Sequence, residues 1–158
     1  MGPDDHSITL RLRHPSIDPD IISRELGLTP QHAWRAGEPR QAEAGETATG
    51  VYRETYWVGL LQPLPPDEAA ATRHLATAEA RAALAPYSLL FALLKMKRSS
   101  AFWRGFVEEG GTIHCLLEVH DAERFHLELP PALSFALSDL RVTFAIEVDV
   151  AGSQAAAA

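Results

Sequence analysis

Two short stretches concentrate the side chains best suited to chemistry. "LGLTPQHAWRAGEPR", residues 26 to 40, and "YRETYW", residues 52 to 57, hold two of the three Trp and three Arg. Arg35, Arg40 and Arg53 are planar five-donor groups able to grip carboxylate or phosphate in pairs. Trp34, Tyr52 and Trp57 offer faces on which a cation or a ligand ring can stack. These six residues are the candidate ligand-binding set, a pocket for a small anionic ligand. These stretches and the segment between them carry Glu38, Glu43, Glu46 and Glu54, enough acid to pair every Arg internally, and Trp57 shares a strand face with Val51 and Thr55. The favoured reading is therefore a loop stapled to its own domain, with the pocket as the leading functional alternative.

Histidines supply the second candidate. "TIHCLLEVH", residues 112 to 120, and "RFHLEL", residues 124 to 129, both alternate apolar and polar residues, and pairing them as a hairpin sets Glu118 opposite His126, with His120 diagonal and His114 further along. Two imidazoles and a carboxylate on one strand surface are zinc-ligand chemistry, so His114, Glu118, His120 and His126 form a weak metal candidate beside the simpler reading, a solvated face with a cross-strand Glu/His pair. Nothing builds a second shell, and neither metal nor cofactor is expected. Cys115 sits on the inward face between Ile113 and Leu117 and is expected to be a packed, unreactive thiol. Gly45 and Gly50 have the separation of a phosphate loop without the following Lys-Ser/Thr, and GxSxG, HExxH and CxxC are absent. No catalytic template fits, which weighs against an enzyme.

Composition sets the context. A chain of 158 residues suits one domain, expected over residues 1–150, with the Ala-rich segment 151–158 a frayed tail. One cysteine permits no internal disulfide, as in a reducing compartment, and the cytoplasm is the expected location. The acidic N-terminus lacks the apolar stretch of a secretory signal, and His6 stands where myristoylation wants Ser or Thr. The longest strictly apolar run, Leu89 to Leu94, falls far short of the ~20 residues of a membrane span. With 21 acidic against 14 basic residues the net charge is −7. That disfavours nucleic acid and membrane surfaces and suits a basic protein partner.

The elements that must position these residues follow from periodicity. "SITLRLR" alternates as a strand, with Ile8, Leu10 and Leu12 inward. Asp18-Pro19 opens a two-turn helix striped by Ile21, Ile22 and Leu26, and Gly27 stops it. Thr29-Pro30 repeats the cap signal for little more than one turn, and residues 36–50 read as loop. "VYRETYWVGLL" is the second strand, ended by "QPLPP", a Pro-rich connector that also satisfies PxxP. Residues 67–85 are Ala-rich and helical by composition. A second helical run carries Leu89, Leu90, Leu93, Leu94 and Lys97, and a third, capped at Ser99-Ser100, carries Phe102, Trp103, Phe106 and Val107 up to Gly110-Gly111. The hairpin follows, then a helix opened by Pro130-Pro131 with Leu133, Ala136, Leu137 and Leu140 on one side. "RVTFAIEVDV" closes the fold with Val142, Phe144, Ile146, Val148 and Val150 in phase. The expected class is α+β: a mainly antiparallel or mixed five-stranded sheet with helices packed on one face, in the order βαβααββαβ.

"HPSIDPDIISRELGLTPQHAWRAGEPR", "GVYRETYW", "GGTIHCLLEVH" and "LRVTFAIEVDV" together resemble family 4279 of the domains of unknown function, small bacterial proteins without an established reaction. The resemblance spans about residues 7 to 150. In its pattern His14, Pro15, Trp34, Arg35, Gly37, Pro39, Tyr52, Arg53 and Trp57 match as they stand, and the Ala-rich insert near residues 67 to 85 departs from it. The reading that results is a non-enzymatic binding or protein-interaction module, of the acidic kind that neutralises a basic partner such as a bacterial toxin. The alternative is a small anionic-ligand sensor, or an unrecognised enzyme, using Trp34, Arg35, Arg40 and Arg53.

Overall fold

The computed structural model describes residues 6–42, 49–61, 92–122 and 126–150. Along them run β1 (His6–His14), α1 (Pro19–Leu26), β2 (His32–Trp34), β3 (Thr55–Leu60), a helical stretch α2 over residues 92–97, α3 (Ser100–Glu108), β4 (Thr112–Ala122), α4 (Pro131–Asp139) and β5 (Val142–Val150). The class is α+β on a five-stranded mixed sheet, as the patterning predicts. Its order is β2-β3-β1-β4-β5, antiparallel throughout except for the parallel β4–β5 pair. The "QPLPP" connector, the Ala-rich run 67–85 and the tail 151–158 lie outside the described residues.

Register explains the core. Leu10 sits between Gly59 and Cys115, and Leu12 between Trp57 and Ile113, so alternate residues of β1, β3 and β4 face the same way. Those alternate residues belong to one buried cluster that also takes Ile22 from α1, Leu93 and Met96 from α2, Trp103 and Phe106 from α3, and Leu133, Ala136 and Leu137 from α4. Ile22, Leu93, Trp103, Phe106, Leu133, Ala136 and Leu137 fall in the stripes their spacing predicts, whereas Met96 lies outside the predicted stripe and Leu94, within it, is 50% exposed. The opposite face was expected to be wet, yet Thr9, Val58 and Leu116 at its centre are buried as well. On β5 the inward row loses cover along its length: Val142 is buried, while Ile146 and Val148 are 43% and 37% exposed.

Three local expectations are corrected. Residues 126–130 form no strand, and the predicted hairpin is absent, because the two edges of β4 are occupied by β1 and β5. Instead β4 connects through α4 to β5, a parallel pair joined by a crossover helix. No helical turn follows Thr29-Pro30: the chain extends, Gln31 N–H donates to Val58 O (2.7 Å), and His32–Trp34 pairs with β3. Finally, Ser99 stands at the N-cap of α3 without capping it, its hydroxyl turning back to Met96 O (3.4 Å).

Candidate functional site

The Trp/Arg stretch is built outward from helix α1. Asp18 caps that helix, one carboxylate oxygen accepting from Asp20 N–H (2.9 Å). The other oxygen is ion-paired with the Arg35 guanidinium. Arg35 thus ties the start of the 35–38 turn to the helix cap, and its backbone N–H donates to Glu38 Oε2 (3.2 Å). Gly37 closes the turn at φ 85°, a left-handed value that costs an L side chain about 1 kcal/mol. Beyond it the chain runs beside its own return: Gly37 N–H donates to Tyr52 O, Tyr52 N–H to Glu38 O and Arg40 N–H to Gly50 O, around a bridge from Pro39 to Val51. This narrow antiparallel ladder carries Arg40 on one arm and Tyr52 and Arg53 on the other.

Thr55, fully buried, anchors the assembly. Its hydroxyl donates to Ile17 O (2.6 Å) and accepts from Ala36 N–H (3.1 Å), joining the segment before α1 to the turn after β2. His14 works beside it. Nδ1 accepts from the backbone N–H groups of Ser16 (3.1 Å) and Ile17 (2.9 Å), which assigns the ring proton to Nε2, facing Glu109 Oε2 at 3.2 Å. Phe106 packs on the imidazole at 4.8 Å between centroids. His14 is structural.

The six candidate ligand residues divide. Trp57 is excluded: its side chain is fully buried on the core face, with Nε1–H donating to Ser23 Oγ (2.9 Å). Arg35 is held by Asp18. The remaining four, Trp34, Arg40, Tyr52 and Arg53, line an open cleft of about 620 Å³ together with Gln41 and Glu54. Short β2 puts Trp34 opposite Tyr56, on the face away from the core. There the rings make a ladder: Tyr52 stacks on Trp34 (4.8 Å, 17°), Trp34 meets Tyr56 (4.5 Å, 32°), and the Arg13 guanidinium lies 5.4 Å from the Tyr56 centroid.

The internal pairing expected for the arginines does not form among the described residues. Glu54 pairs with Arg13 on β1 (3.3 Å) and Glu38 serves the backbone of Arg35; among the described residues Arg40 and Arg53 have no carboxylate within ion-pair distance. Glu43 and Glu46 lie outside the described residues. Among the described residues two arginines therefore line a cleft walled by aromatic rings, and the carboxylate there, Glu54, is already engaged by Arg13. Gln41, Arg13 and Tyr56 were missed in the sequence. Tyr56 becomes visible as a neighbour of Trp34 only once residues 32–34 are known to pair with β3, and three residues are too few to show a period.

The metal candidate loses its geometry with the hairpin. Glu118 accepts from Ser7 Oγ (3.1 Å), His120 contacts Asp149 (3.0 Å) and His126 contacts Glu128 (3.1 Å), while His114 sits beside Arg11 and Thr143 on the second face. No three His, Cys, Asp or Glu side chains among the described residues are grouped to hold an ion. Cys115 is buried and its thiol is pushed by desolvation from its ordinary 9.0 up to about 12. The unfolded chain then releases this proton from about pH 9 while the folded chain keeps it, so stability falls as pH rises from 9 towards 12. Urea titrations at pH 8 and pH 10.5 are expected to show a pH-dependent loss in the native protein that is smaller in Cys115→Ala. An equal loss in both would assign it to other groups.

No family model, curated protein or solved structure matches the chain. Among the described residues no helix is long and apolar enough to cross a membrane.

Proposed function

We propose that this chain is a non-enzymatic binding module of the cytoplasm, whose site is the cleft of Trp34, Arg40, Tyr52 and Arg53 and whose ligand is a small anion. One observation carries the reading: of the three arginines in the motif, one is consumed in holding the loop, and the other two meet at a cleft without a carboxylate partner among the described residues. Two like charges on one cleft gain nothing from each other and gain charge-assisted hydrogen bonds from an anion. The likeness to family 4279 belongs to the same proposal, since five of its matching residues, Trp34, Arg35, Gly37, Tyr52 and Arg53, build or line this cleft.

The test is thermal. At about 100 times its dissociation constant a bound anion adds ~2.7 kcal/mol of stability, which for a domain of this size raises Tm by roughly 5–10 °C. Arg40→Gln/Arg53→Gln is expected to lose that rise. The weak stabilisation that phosphate and sulfate give any protein by exclusion from its surface persists in the variant and is subtracted by it. An equal shift in both proteins would place the anion elsewhere.

A second reading is favoured by the polarity of the sheet's outer face. Arg11 and Arg13 stand on β1, whereas Glu118 and Glu147 are side by side in register on β4 and β5, with Asp149 two residues on. A basic protein partner of the kind the net charge suggests would dock at that acidic end. Its binding would then weaken in Glu147→Gln/Asp149→Asn and survive in Arg40→Gln/Arg53→Gln; the reverse pattern removes this reading.

A further inference from the structure

The cleft is larger and more aromatic than a bare anion requires. Phosphate or a short carboxylate would engage the two guanidiniums and leave most of about 620 Å³ to water, whereas sites of roughly 300–1,000 Å³ suit ligands with a body as well as a charge. Its wall is the Trp34–Tyr52 stack, flat and half-buried, held from behind by the contact of Trp34 with Tyr56. Tyr52 is fixed at its far end as well, since its hydroxyl accepts from Gln41 N–H (3.2 Å). A flat wall that is rigid before binding loses little entropy when another ring is laid against it.

The polar groups at the rim extend this pattern. The Gln41 side-chain amide makes no internal hydrogen bond among the described residues, and Glu54 binds Arg13 through Oε1, which leaves Oε2 open. An amide and a carboxylate oxygen are a donor and acceptors suited to the edge of a polar ring, while Arg40 and Arg53 approach from the two arms of the ladder as donors to an anion.

Resting on the anion site proposed above, we infer that the ligand joins an aromatic ring to a phosphate or similar anionic group, the ring lying on the Trp34–Tyr52 wall and the anion between Arg40 and Arg53. The chemistry is shared by a nucleoside monophosphate and by a simple aryl phosphate, which differ in whether the ring edge carries hydrogen-bonding groups for Gln41 and Glu54.

Isothermal titration of the whole chain at fixed ionic strength separates these, with inorganic phosphate, ribose 5-phosphate, phenyl phosphate, adenosine and adenosine 5′-monophosphate as probes. Stacking on an aromatic side chain predicts that phenyl phosphate or the nucleotide binds about tenfold tighter than ribose 5-phosphate. That ratio is expected to fall below about threefold in Trp34→Leu and in Tyr52→Leu, each checked for fold by circular dichroism. A further gain of the nucleotide over phenyl phosphate, lost in Gln41→Ala, identifies the ring as a polar heterocycle. Ribose 5-phosphate binding as tightly as both ring compounds, or a ring advantage that survives in both leucine variants, overturns this inference and leaves the anion site standing. Adenosine binding as tightly as its monophosphate overturns the joint requirement. Absence of binding by every probe at 10 mM, on the order of the weakest affinity worth calling a site, overturns the anion site too.

Discussion

Trp57→Ala is expected to lower the free energy of unfolding by about 4 kcal/mol, the range for deleting a large aromatic side chain from a core, and to depress Tm by roughly 10 °C. Trp57 is wholly buried, sits in register with Leu12 on β1, and its indole lies over Gly59, where a β-carbon would come within 2.5 Å of the ring. The strand therefore carries a large and a minimal residue as a matched pair two positions apart. Gly59→Ala alone is expected to destabilise by pushing the ring, and the cost should shrink when Trp57 is first made Phe, a coupling that a double-mutant cycle measures directly. The indole N–H adds a second signature. Trp57→Phe gives up the bond to Ser23, whereas Trp103, equally buried, has an Nε1–H without a hydrogen-bond partner among the described residues, so Trp103→Phe removes an unsatisfied donor and should cost less. Equal losses in the two Phe variants, followed by urea unfolding, would mean that the Ser23 bond contributes nothing.

Thr55→Val is the other large effect, about 2–3 kcal/mol from a substitution that hardly changes shape. It strands the Ile17 carbonyl and the Ala36 N–H at a site where threonine is fully buried, and unsatisfied buried groups cost about 1–3 kcal/mol each. Thr55→Ser, which keeps the hydroxyl, is expected to retain most of the stability. If Thr55→Val melts with the native protein while Thr55→Ser is the less stable, the methyl group and not the hydrogen bonds is what Thr55 supplies.

The sheet and its helices were legible where a period runs long enough to be counted. β1, β4 and β5 show it over seven or more residues, and α1 is bracketed by Asp18-Pro19 and Gly27, caps whose geometry is local. The failures are of another kind. "RFHLEL" alternates as well as a strand does, but a strand needs a free neighbour, and β4 had none to give; partner availability is a property of the whole sheet. His32–Trp34 reaches the sheet through pairing with β3, and no propensity signals that.

The site was half legible for the same reason. Residue types marked the right stretch, since four of six candidates line one cleft, but the two that do not were sorted by tertiary partners. Asp18 reached Arg35 because helix capping had already fixed its carboxylate nearby, and the phase of β3 turned Trp57 inward while Trp34 on β2 faces out. The division of one motif into a stapling half and an open half is invisible until those partners are in place.

The most direct measurement is a paired melt of Arg35→Gln and Arg40→Gln/Arg53→Gln, with and without adenosine 5′-monophosphate at 10 mM. Arg35→Gln is expected to lose roughly 2–4 °C in buffer, a partly exposed ion pair being worth about 1 kcal/mol, and to keep its ligand shift. The double variant is expected to melt with the native protein in buffer and to lose the shift. A ligand shift that vanishes in Arg35→Gln and survives in the double variant would contradict the assignment of staple and site.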